Sequence, residues 1–137
     1  MITLIRPPVA EKFTLSKRPI ELPIGLAYIA GAIEAKSVDY QLIDAVGEAP
    51  QQIVSYYGGY ILLGLSFEEI VSRIDPQADI VGITVIFTHE WPAAVRLIEI
   101  IKSKRPELKV VVGGEHITAM PEFCLATSAV DFLILGE

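Results

Sequence analysis

The chain has 137 residues, a single domain by length and long enough to bury a core without staples. Apolar residues make up 52% and the formal net charge is −6, so a disordered chain is excluded and a nucleic-acid partner is not expected, since lysines and arginines form no basic stripe. The apolar runs are too short to span a bilayer, the N-terminus lacks a signal peptide's basic region and cleavage site, and a lone Cys124 cannot form an internal disulfide; the expectation is a cytoplasmic protein.

In chain order, a first buried strand is predicted over Ile2 to Ile5, because its apolar run is continuous rather than alternating. In "PIGLAYIAGAIEAK" the residues Leu26, Ile29, Ala30 and Ile33 repeat at i, i+3, i+4 and i+7, predicting an amphipathic helix. A second strand follows over Tyr40 to Ile43. "QIVSYYGGYILLGL" then breaks the pattern. Two β-favouring runs flank Gly58-Gly59, which predicts a small inserted β-hairpin on a two-residue turn; a helix over Pro50 to Tyr57 is the alternative. "SFEE" is a capping box in which Ser66 caps and Glu69 reaches back, opening a short helix through Ile74.

A third strand is predicted over Asp79 to Val85. Next comes a helix in "EWPAAVRLIEIIKSKRP", with Pro92 in its first turn and Pro106 beyond its end. A fourth strand over Lys109 to Val112, a helix from about Pro121 to Thr127 and a fifth strand over Asp131 to Leu135 complete the order. Such alternation predicts a doubly wound α/β fold, whose right-handed crossovers give a five-stranded parallel sheet of order 2-1-3-4-5. The sequence stops at "DFLILGE", directly after the fifth strand, where a domain of this type usually carries a further helix. It is therefore expected to be a piece of a longer protein.

In such a fold a ligand lies beyond the carboxyl ends of the strands. Those ends carry Arg6 and Pro7, then Asp44, then "TVIFTHEW" with Thr84, Ile86, Phe87 and His89. The fourth carries "GGEHIT" with Gly113, Gly114, Glu115, His116 and Thr118, and the fifth Gly136 and Glu137. Bare backbone at Gly113-Gly114 suits either close approach of a ligand or a tight strand-to-helix turn. His89 and His116 suit acid–base or metal-ligand roles, or hydrogen bonds to a loop or ligand amide. Histidine and cysteine spacing offers no structural metal site. Asp44 reads as a helix cap, Phe87 and Trp91 as core cover or flanks of a planar ligand, and Cys124 as an inert buried thiol. A phosphorelay receiver would need acids where "RPP" and "FTHE" stand. A flavin site would need a Ser/Thr-rich loop after strand 1, and the nicotinamide fingerprint is missing.

Taken together, "PIELPIGLAYIAGAIE", "LIDA", "GLSFEEIVSRI", the run from "ADIVGITV" to "VVVGGEHITAMPE" and "DFLILGE" resemble the cobalamin-binding domain at the N-terminus of B12-dependent radical SAM proteins. The resemblance covers nearly the whole chain in the right order. It implies a flavodoxin-like domain that holds cobalamin on its strand-end face. Thr84-Val85-Ile86 and Gly113-Gly114 match the positions that accept the nucleotide tail, while Glu115, His116 and Thr118 can bond its ribose, phosphate or the corrin amides. The remaining cofactor-binding candidates are Arg6, Pro7, Phe87, His89, Gly136 and Glu137.

Two departures qualify it. The better-known B12 enzymes carry Asp-x-His-x-x-Gly after the first strand; here stands "RPPVAEKFTL", so no histidine of that loop ligates cobalt. The chain's single cysteine cannot supply the Cys-x-x-x-Cys-x-x-Cys that holds a 4Fe-4S cluster. The cluster and S-adenosylmethionine are expected in a following radical SAM domain of the parent protein, a methyltransferase or a tetrapyrrole-type cyclase, with this domain positioning the cofactor. The alternative is a non-catalytic interaction or sensor domain that kept the fold and lost the ligand.

Overall fold

The computed structural model describes residues 1–12 and 21–136. The chain opens with β1 (Ile2–Arg6), which ends at Pro7-Pro8, two residues with no N–H to continue a ladder. A short β2 (Val9–Lys12) comes next, then α1 (Ile24–Glu34), β3 (Tyr40–Asp44) and a single-turn α2 (Ala45–Glu48). β4 (Ile53–Ser55) and β5 (Tyr60–Leu63) form the insert. Strand and helix alternate from there: α3 (Phe67–Arg73), β6 (Ile80–Thr84), α4 (Trp91–Lys104), β7 (Lys109–Gly113), α5 (Glu115–Ala119), α6 (Pro121–Thr127) and β8 (Phe132–Ile134).

The main sheet is parallel and five-stranded, in the order β3-β1-β6-β7-β8, which is the 2-1-3-4-5 arrangement expected from the crossovers. One face packs on α3 and α4. Ile5, Ile43, Val81, Ile83, Val85, Val110 and Val112 meet Ile70, Leu97, Ile98 and Ile101 in one continuous core. Full burial of each aliphatic side chain in it stabilises the fold by about 1.5–3 kcal/mol. The alternate residues of each strand point to the other face. There α1 covers β1 and β3 through a smaller cluster of Leu4, Leu26 and Ala30. Towards β8 this second face is less covered: Val111 is half-buried, and Phe132 and Ile134 are exposed.

Several expectations change. The insert is a three-stranded antiparallel sheet, β2-β5-β4, because the stretch after Pro8 pairs with β5. Its turn spans Tyr57, Gly58 and Gly59, closed by the Tyr56 N–H donating to the Tyr60 carbonyl at 2.9 Å, and both glycines adopt positive φ. That is one residue longer than the two-residue turn predicted, and no helix forms over residues 50–57. On α1, Leu26 and Ala30 are buried but Ile29 is half-exposed, so the buried stripe is narrower than its periodicity suggests. The Ser66 capping box forms as predicted: the Glu69 N–H donates to Ser66 Oγ at 3.3 Å, and the Ser66 N–H to Glu69 Oε2 at 2.8 Å.

Candidate functional site

Parallel register aligns the carboxyl ends of the strands. Arg6 pairs with Asp44, Thr84 with Gly113, and Gly113 with Ile134; Ile5 pairs with Ile83, which sets Arg6 beside Thr84 at the next position. Each of these residues follows one whose side chain packs on the α3–α4 face, so all five belong to the opposite face. The result is one row across the sheet: Asp44, Arg6, Thr84, Gly113, Ile134.

The row has an Arg6–Asp44 ion pair at one end and an apolar side chain, Ile134, at the other. Arg6 Nη1 donates to the Glu21 carbonyl at 2.7 Å and lies 3.4 Å from Asp44 Oδ1. Asp44 also accepts from the Val46 N–H at 3.2 Å, so it is the cap of α2 that the sequence suggested and Arg6's partner as well. Thr84 supplies a half-buried hydroxyl. Gly113 leaves the strand bare: a Cβ there would stand 3.5 Å from that of Ile134, an ordinary contact with nothing closer.

Gly114 serves a different purpose. Its φ is +121°, and a Cβ would lie 2.3 Å from the Val85 carbonyl oxygen. The glycine is demanded by the close approach of β6 and the turn into α5. Of the two glycines, only Gly113 could carry a Cβ without a clash. This sharpens the expectation drawn from the pair.

"EHITA", for which the sequence predicted no element, folds into α5. His116 is consequently turned into the core and is 2% exposed, with its Nδ1 3.2 Å from Thr88 Oγ1 and its Nε2 3.6 Å from Cys124 Sγ. Burial lowers the imidazole's pKa and raises the thiol's. Trp91 is buried against the same ring and donates from Nε1 to Thr127 Oγ1 at 3.1 Å, so it is core rather than a ligand flank. Phe87 and His89 lie exposed on the rim, stacked at 5.7 Å. Ile86, Phe87, Thr88, Glu115, His116 and Ala119 line a groove of about 320 Å³ between the β6–α4 connection and α5. The Thr118 hydroxyl donates to the Gly114 carbonyl and accepts from the Gly136 N–H at 3.0 Å, pinning the end of β8. Pro7 is half-buried beside Arg6, and Glu137 lies outside the described residues.

The candidates thus fall into two groups: the row through Arg6, Thr84 and Gly113, and the rim groove through Ile86, Phe87, Glu115 and His116. Asp44, Thr88 and Ile134 were not singled out as ligand-binding. The parallel register is the signal that would have found Asp44 and Ile134. A larger apolar groove of about 720 Å³ runs along α1 from Leu22 to Ala32; among the described residues that line it, the one side-chain polar group is the Tyr28 hydroxyl. Among the described residues no cluster of histidines, cysteines and acids could hold a metal ion, and no helix is long and apolar enough to cross a membrane.

A parallel sheet of this order, with a bare strand end beside a hydroxyl and a cation, defines a flavodoxin-like ligand-binding domain. Residues 18–137 match the family described as "B12 binding domain", and the chain belongs to that family. It is 30% identical over 118 residues to the cytidylyl-2-hydroxyethylphosphonate methyltransferase of Streptomyces wedmorensis, a match covering 84% of this chain and 22% of the relative. It is 28% identical over 137 residues to an uncharacterized methyltransferase of Pyrococcus horikoshii, covering 99% of this chain and 26% of that one. The chain therefore spans about a quarter of the length of these curated relatives. No solved structure matches it.

Proposed function

We propose that this chain is the cobalamin-carrying module of a B12-dependent radical SAM methyltransferase. It would hold the cofactor over the carboxyl rim for a further domain that binds a 4Fe-4S cluster and S-adenosylmethionine. Family membership supports the cobalamin, and the word methyltransferase in both relatives' names favours methyl transfer over tetrapyrrole cyclisation. The observation that carries the reading is the row through Thr84 and Gly113. A flat nucleotide base needs a strand end with no side chain, and Gly113, paired with Thr84, carries none.

Bound cobalamin supplies the methyl or electron chemistry of cobalt. The chain's own residues bind and orient it. Gly113 admits the base and Thr84 Oγ1 offers it a hydrogen bond. Ile86, Phe87 and His89 present an exposed rim on which the corrin would rest, and Glu115, which lines the same groove as Ile86 and Phe87, would be a polar partner for it. No histidine ligates cobalt from below in this reading. "RPPVAEKFTL" replaces the usual histidine loop, both ring nitrogens of His116 face protein partners, and His89 stacks on Phe87.

Titrating the purified protein with hydroxocobalamin and recording the visible spectrum tests this. Saturable binding tighter than roughly millimolar is expected, with a spectrum lacking nitrogen ligation from the protein and unchanged in His89→Ala. Absence of uptake would overturn the cobalamin reading. A nitrogen-ligated spectrum lost in His89→Ala would overturn the ligand assignment.

A further inference from the structure

Resting on the cobalamin reading, we infer that Arg6 reads the anionic phosphodiester of the cofactor's nucleotide tail, and so makes the site selective for corrinoids that carry the complete tail. Arg6 ends β1, the strand next to the central β6, and so stands beside Thr84 and one strand further from Gly113. Neighbouring strands lie about 4.8 Å apart, so the guanidinium's strand is about 10 Å from the bare glycine. A nucleoside monophosphate laid across the row spans that gap: base over Gly113, sugar near Thr84, phosphate towards Arg6.

The cation is prepared for this role. Its side chain is only 17% exposed, which shields it from water and strengthens its pairing with an anion. Both of its contacts among the described residues run through Nη1, to the Glu21 carbonyl and the Asp44 carboxylate. Nε and Nη2 remain as donors in the fixed fork that suits phosphate oxygens. The Asp44 contact, at 3.4 Å, is long for a charge-assisted bond and leaves the guanidinium incompletely neutralised. Among the described residues no other lysine or arginine stands in this row.

The test compares hydroxocobalamin with aquocobinamide, which lacks both phosphate-linked nucleotide and base. Wild-type protein is expected to bind hydroxocobalamin more tightly. Arg6→Ala should weaken hydroxocobalamin roughly tenfold or more while changing cobinamide less than about threefold, and the wild-type preference should shrink as salt rises. Arg6→Gln, which keeps a donor for the Glu21 carbonyl, is judged by the same criterion if Arg6→Ala fails to fold. Equal losses for both ligands would mean that Arg6 only supports the fold, and no loss would mean that it does not touch the tail; either overturns the inference and leaves the cobalamin reading standing. Wild-type protein that binds both corrinoids equally does the same. Wild-type protein that binds neither overturns both.

Discussion

At the residue scale, two adjacent glycines are held by different forces, and a pair of substitutions separates them. Gly114→Ala places a methyl group 2.3 Å from the Val85 oxygen at φ +121°, so it should destabilise the fold by on the order of 3 kcal/mol. Gly113→Ala adds a methyl at ordinary contact distance and should leave stability within about 1 kcal/mol of wild type. Gly113→Val should also fold, since a β-branched residue suits a strand, yet lose cobalamin binding by filling the slot. Urea denaturation and ligand titration check the series. Wild-type affinity in Gly113→Val would mean that the slot holds no base. His116 teaches a related lesson: its type suggested chemistry, but a helical turn of five residues rotates it into the core.

At the element scale, the attachment of the edge strand β8 depends on Asp131. Its carboxylate receives Lys102 Nζ, the Val110 N–H at 2.8 Å and Lys109 Nζ at 3.3 Å, while its own N–H donates to the Val110 carbonyl at 2.9 Å. Burial opposes ionisation, but these donors, Lys102 foremost, outweigh it and hold the pKa at about 2, below the ordinary 3.8. A carboxyl depressed in the folded state stabilises fully above its unfolded value, and the contribution fades as pH falls towards the folded one. Asp131→Asn should therefore cost about 2 kcal/mol near neutrality, and the difference from wild type should shrink between about pH 4 and pH 2. Denaturation curves at several pH values measure it; a difference that persists undiminished at the acid end would contradict the assignment. Elements with strong periodic or capping signals, such as α4 and the Ser66 capping box, were legible beforehand. β2 and α5 were not. Four residues after two prolines and five after two glycines are too short for a period to register, and both are held by other elements, β2 by pairing with β5 and α5 by packing beside β7 and β8.

At the scale of the whole molecule, the two faces of the sheet differ. One is sealed by α3 and α4, and the other is sealed by α1 over β1 and β3 but exposes Phe132 and Ile134 towards β8. A ligand seated across the row would cover part of that second face, and binding to the folded state alone raises apparent stability. With hydroxocobalamin at about a hundredfold its Kd, the gain is about 2.7 kcal/mol, a rise in Tm on the order of 10 °C for a domain of this size. A thermal melt with and without cofactor reads this directly, and an unmoved Tm at saturating ligand would refute binding to the folded domain.

The sequence by itself determined the five-stranded order, the helix between each pair of strands and the rim on which a ligand can sit. Hydrophobic period, caps and crossover handedness are local or chiral properties, and they need no knowledge of neighbours. Only the tertiary structure decided which rim residues act together. Arg6, Asp44, Thr84, Gly113 and Ile134 lie far apart in the chain and meet through strand register. His116 and Gly114, which looked like their companions, answer instead to the core and to the Val85 backbone. A side chain's neighbours are set by the pairing of whole strands, and no single segment contains that information.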